Sequence, residues 1–138
     1  MTSLCIDHTN REHTLFGSVY KFNSSRQIFE VKKHQNPDDN KVVFALFHRK
    51  ANNSKLIRDI GFELNFVKPG QVAISRKDVR DTDLAQYQSI PERILNVFRG
   101  NSNNGKLTVD DVVEEITTDE RPVTKESVRT AMSRMFNS

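Results

Sequence analysis

At Ser89 the spacing of the apolar residues changes from two to 3.6, and this change restricts the chain to an α+β fold with its strands first and its helices last. Before it, alternation and β-branched content predict strands near Ser3 to Asp7, Arg26 to Lys32, Val42 to His48, Gly61 to Val67 and Gln71 to Ser75. Lys68-Pro69-Gly70 joins the last two as a hairpin, and Asn36 to Asn40 is a turn. A short helix is expected within Gly17 to Ser25. After it, three apolar stripes follow: Ile90, Ile94, Val97 and Phe98; Val109, Val112, Val113 and Ile116; Val128, Ala131, Met132, Met135 and Phe136. Ser89 with Glu92 is a capping box, and Thr108 and Thr124 are N-caps for the second and third helices. The expected organisation is a β-rich part over residues 1–80, a linker over 81–88 and a helical module over 89–138.

Charge follows the same division. Residues 1–80 hold 14 Lys and Arg against 8 Asp and Glu, and residues 81–138 hold 7 against 10, so the two parts carry +6 and −3. A basic β-rich part is a plausible seat for phosphate contacts. No run of apolar residues is long enough for a membrane span, and MTSLCIDHTNREH lacks the pattern of a secretory leader. Cys5 is the single cysteine, which rules out an internal disulfide and fits a reducing, cytoplasmic setting.

The stretch Val42 to Asn53, VVFALFHRKANN, runs an apolar strand directly into His48, Arg49 and Lys50. A strand that is anchored in a core can aim cations at one place, as a phosphate-binding site requires. The plain alternative is that these charges solvate a strand end. Taken with LCIDHTNRE, FGSVYKFNSSRQIFEVKK and IGFELNF, the stretch resembles the C-terminal half of a RecA-fold ATPase, similar to the helicase-like DnaB and RepA groups of phages and mobile elements. The resemblance covers about residues 2–76.

It implies a partial RecA-like core of about five strands, in which His8 matches the polar sensor of the γ-phosphate. Arg49 and Lys50 match the basic residues that reach a neighbouring subunit's nucleotide, and Gly17-Ser18 and Arg26 match a small-residue turn and the start of the next strand. The strand, glycine-rich loop and helix that bind nucleotide in that family have no counterpart here. No ATPase activity is therefore expected of this chain alone, and ATP and magnesium would be held only where an upstream segment or partner subunit completes it. A half domain would also leave an apolar face and strand edges open, which predicts self-association or a P-loop-bearing ATPase partner. Gly100 to Lys106 imitates the start of a P-loop, but Leu107 stands where Ser or Thr must meet magnesium.

The helical module has the spacing of a helix-turn-helix and resembles the winged-helix family, without residues for the wing. Its third helix carries Lys125, Arg129 and Ser133 in one row and Thr130 and Arg134 in the next, residues suited to phosphates and base edges. Asp110, Asp111, Glu114, Glu115, Asp119 and Glu120, on and beside the second helix, oppose contact with a polyanion, so protein docking by this module stands beside DNA binding. No metal site is expected, because Cys5, His8, His34 and His48 lack ligand spacing. Cys5 is expected to be a small core residue. The sequence thus points to a protein of DNA replication that contributes His8, Arg49 and Lys50 to a helicase-type ATPase. The alternatives are a small non-enzymatic DNA-binding regulator or adaptor, and an unstable relic of a truncated gene.

Overall fold

A computed structural model of the chain describes residues 4–7, 19–101 and 106–137, with 19 and 20 as backbone only. Its elements are α1 (Val19–Ser24), β1 (Gln27–His34), β2 (Lys41–Ala51), β3 (Ile60–Lys68), β4 (Gln71–Lys77), short 3-10 helices at Val79–Asp81 and Asp83–Tyr87, then α2 (Ile90–Gly100), α3 (Val109–Ile116) and α4 (Lys125–Phe136). This is an α+β fold with a four-stranded antiparallel sheet in the order β1-β2-β3-β4. Among the described residues the fifth expected strand is not found: Leu4 to Asp7 has no regular structure, and Cys5 is exposed rather than part of a core. These four have no strand beside them, among the described residues, to complete a ladder, so propensity alone does not hold them extended.

Two compact units partition the chain, one formed by 1–30 and 48–58, the other by 31–47 and 59–138. In the second unit, β2 and β3 pair with Val42 opposite Leu64, Phe44 opposite Phe62 and Leu46 opposite Ile60. β4 continues the ladder, with Leu64 opposite Ile74 and Phe66 opposite Val72. The hairpin turns on Gly70, whose φ of 78° is the left-handed conformation that glycine adopts without a Cβ penalty.

Because strand side chains alternate between faces, each strand of this sheet serves two surfaces. Val43, Ala45 and Phe47 lie on one, where they pack with Val79, Leu84 and Tyr87 from the 3-10 helices. Val79 crosses Gly61 so closely that a Cβ there would lie 3.1 Å from Val79 Cγ2 and 2.5 Å from the Lys77 carbonyl. Val42, Phe44, Leu46, Ile60, Phe62 and Leu64 lie on the opposite surface with Phe66, Val72 and Ile74. The first six are only partly buried, and the last three are 45%, 47% and 66% exposed.

The three long helices form a second cluster in the same unit, centred on Ile94, Val112, Ile116 and Val128. Their starts are capped as the sequence implies. Ser89 and Glu92 form a reciprocal capping box, Thr108 and Asp111 form another, and Thr124 accepts from the Ser127 N–H. Among the described residues no helix is long and apolar enough to cross a membrane.

Candidate functional site

His48, Arg49 and Lys50 belong to β2, which extends to Ala51, so the expected basic turn is a continuation of the strand. Consecutive strand residues face opposite ways, and the contacts follow that rule. The Arg49 Nε and Nη2 both donate to Glu30 Oε2 at 2.8 Å, an ion pair whose members are 28% and 16% exposed. Lys50 turns elsewhere. Its Nζ donates to the carbonyls of Phe22 at 2.5 Å and Asn23 at 3.1 Å, and it stands 5.0 Å from the Phe22 ring centroid. These carbonyls lie in the last turn of α1, where helix geometry leaves them without internal donors. The two cations therefore do not converge on one point.

His48 is 6% exposed, and its ring stacks on Phe29 with centroids 4.3 Å apart and planes 12° from parallel. Its Nδ1 accepts from the Ile57 N–H at 3.1 Å, which assigns the proton to Nε2. Among the described residues that Nε2, which is buried, has no hydrogen-bond partner. His48 thereby ties the segment after β2 to the strand that presents Arg49. His8, Gly17 and Ser18 lie outside the described residues, as do Ser102 to Gly105 of the P-loop imitation.

On α4 the expected nucleic-acid row is partly engaged. The Lys125 Nζ is 2.6 Å and 2.7 Å from the two carboxylate oxygens of Asp110 on α3, which neutralises the first cation of the row. Arg129, Thr130, Ser133 and Arg134 are exposed. Thr130 and Arg134 also line a groove of about 730 Å³ with Ile90, Pro91, Ala131 and Met135. The acid on α3 thus supports the row's geometry while subtracting from its charge.

Comparison with family models, curated proteins and solved structures finds no match.

Several participants escaped the sequence reading. Glu30 orients Arg49, and its place in the alternation of β1 beside Lys32 is the only trace of that role in sequence. Tyr87 carries Lys32 Nζ at 4.9 Å and the Arg121 guanidinium at 5.2 Å from its ring centroid, while its O–H donates to Glu120 at 2.7 Å. Gln86 receives the Thr118 hydroxyl at 3.2 Å, so the segment before α2 is fastened to the turn between α3 and α4. Asp78 N-caps the first 3-10 helix through the Arg80 N–H, and the Arg80 guanidinium beside it holds its carboxyl down at about 2.

Proposed function

We propose that this chain is the C-terminal part of a RecA-fold, helicase-type ATPase of DNA replication, acting in the cytoplasm and completed by a segment or subunit that carries the P-loop. The observation that carries the reading is the second surface of the sheet. Val42 to Phe47 is an unbroken apolar run, the pattern of a strand covered on both sides, yet only the Ala45 and Phe47 side lies in a buried cluster. The other side, from Phe44 and Phe62 out to Ile74, is the surface on which the missing layer would pack. An antiparallel meander suits the edge of such a sheet, since large α/β sheets often mix an antiparallel margin with a parallel centre.

In this reading Arg49 is the cation delivered to a nucleotide held elsewhere. Glu30 fixes the guanidinium beforehand, which lowers the ordering cost of presenting it to a phosphate. Positive charge supplied in trans to a transferring phosphoryl group is worth about 10³ or more in rate. Lys50 then orients α1 rather than touching phosphate, and His8 remains the sensor that the resemblance implies. Bound ATP and magnesium would supply the reacting phosphoryl group, while this chain contributes charge and orientation.

A specific observation also favours the DNA-binding adaptor: Arg129 and its neighbours form an outward row on α4 even though Lys125 is paired. The deciding experiment uses the native product together with its P-loop-bearing segment. Arg49→Ala is expected to reduce ATP hydrolysis about a thousandfold with nucleotide binding retained, and Arg129→Ala to weaken duplex binding while leaving hydrolysis alone. Undiminished hydrolysis in the Arg49 variant rejects the finger. Duplex binding by this chain with no ATPase association would instead establish the adaptor.

A further inference from the structure

β4 (Gln71–Lys77) is the last strand of the sheet, and all seven of its residues are exposed. The pairing within the sheet fixes which of its backbone groups face the free edge. The Phe66 N–H donates to the Asn40 carbonyl just before β2 at 2.9 Å, so the polar backbone groups of Phe66 point away from β4. A residue's N–H and C=O lie on one side of its strand, and opposed residues of an antiparallel pair alternate between bonded and non-bonded. Phe66 and Val72 are therefore a non-bonded pair, as are Leu64 with Ile74 and Phe62 with Arg76. Val72, Ile74 and Arg76 thus turn their N–H and C=O to the open edge, where no backbone hydrogen bond engages them among the described residues.

Native sheets blunt such an edge with proline, a bulge or charges spread along it. β4 contains no proline, and its register with β3 is regular from Lys77 to Val72. Its charges, Arg76 and Lys77, sit at one end only. An antiparallel second copy of β4 suits that distribution. A two-fold axis perpendicular to the sheet keeps every side chain on its own face, so the axis must pass through a residue rather than between two. With the axis at Ile74, the residue meets itself, Val72 faces the second copy's Arg76, Ala73 faces Ser75, and Gln71 faces Lys77. Every outward N–H and C=O of Val72, Ile74 and Arg76 then finds a partner, and each cation faces a neutral residue. An axis at Arg76 would oppose two guanidiniums. One at Ala73 or Ser75 would leave Arg76 or Val72 beyond the end of the other strand.

We infer that β4 is a self-docking edge, through which two copies of this chain join in one continuous sheet by antiparallel pairing centred on Ile74. The inference goes beyond the proposed function and does not depend on it. Because the axis preserves faces, the open apolar surfaces of the two copies lie on the same side and are extended rather than covered. A ladder of seven residues is short, so the pairing is reversible and concentration-dependent.

The test is sedimentation of the full chain over a concentration series, read as a shift from the mass of one chain to that of two. Val72→Lys sets an ammonium opposite the second copy's Arg76 at both ends of the ladder and is expected to weaken association about tenfold. Adding Arg76→Glu makes both contacts attractive and is expected to restore it. Within one copy positions 72 and 76 are about 13 Å apart along the strand, so rescue reports contact between copies. Val72→Lys with Lys106→Glu carries the same net charge, with the change outside the sheet, and is not expected to restore association. Both β4 positions are exposed, and urea unfolding establishes that each variant is folded. A mass of one chain up to about 1 mM overturns the inference. So does rescue by Lys106→Glu as complete as by Arg76→Glu. Weakening without rescue assigns the contact to the open apolar surface, to which Val72 also belongs, and likewise overturns the edge. ATP hydrolysis plays no part in this readout, so the outcome is independent of whether Arg49 is a finger.

Discussion

Arg49 illustrates how one residue acquires a role from its partner. Without Glu30 its guanidinium would sample many rotamers; with it, two nitrogens are held on one oxygen. Under the proposed function, Glu30→Gln is expected to leave the fold intact and to lower partner-dependent ATP hydrolysis about tenfold, less than removal of Arg49, because orientation is lost while charge remains. Steady-state kinetics of both variants in the completed ATPase would check this, and equal losses would reject a positioning role. Gly61 is constrained differently. Gly61→Ala places a methyl group against the Lys77 carbonyl and Val79, and should destabilise the chain by about 1–3 kcal/mol in urea unfolding. The Asp78 carboxyl titrates near 2, below its ordinary 3.8, so its contribution to folding is present above the ordinary value and disappears as pH falls through about 2. Both partners are more than two-fifths exposed, so solvent screening makes this contribution small. An NMR pH titration of the Arg80 amide should follow that loss, and an inflection near 4 would contradict the pairing. The first two of these partnerships are not legible in sequence, because Glu30 and Val79 acquire their meaning only from what folding sets beside them, whereas Asp78 and Arg80 are two residues apart.

At the scale of elements the sequence is far more informative. Ser89, Thr108 and Thr124 mark helix starts through local chemistry, since a side-chain oxygen and a backbone N–H three residues on suffice to form a cap. Thr108→Ala should cost about 1 kcal/mol in chemical denaturation. Ile94→Ala removes the centre of the helical cluster and should cost about 2–5 kcal/mol, the larger value if the surrounding residues do not close the cavity. A cost below 1 kcal/mol would mean that α2 is not held by this cluster. The 3-10 segment is the contrasting case. Asp78, Asp81 and Asp83 give it the composition of a charged connection, but Val79 and Leu84 within it fill the sheet's inner surface. The Ser3 to Asp7 strand fails for the opposite reason. Leu4, Cys5 and Ile6 have strand character but are exposed, and among the described residues no pairing partner gives that character an outlet.

For the whole molecule, the decisive quantity is how much apolar sheet surface remains open. Under the proposed function, a P-loop-bearing segment should protect Phe62, Leu64 and Ile74 from solvent, and Ile74→Lys should weaken that association without unfolding the sheet, because Ile74 is 66% exposed in this chain. Sedimentation of mixtures with wild-type and variant chains would test this, and equal association of both would remove the open surface from the proposed function. The sequence by itself determined that the four paired strands precede three capped helices, the hairpin at Gly70 and the apolar run of β2, because turns, caps and periodicity act within a few residues. Tertiary structure alone decided that Arg49 and Lys50 diverge and that Glu30 holds one of them. Those facts depend on which strand face and which helix side meet across long stretches of chain, and no local pattern encodes that meeting.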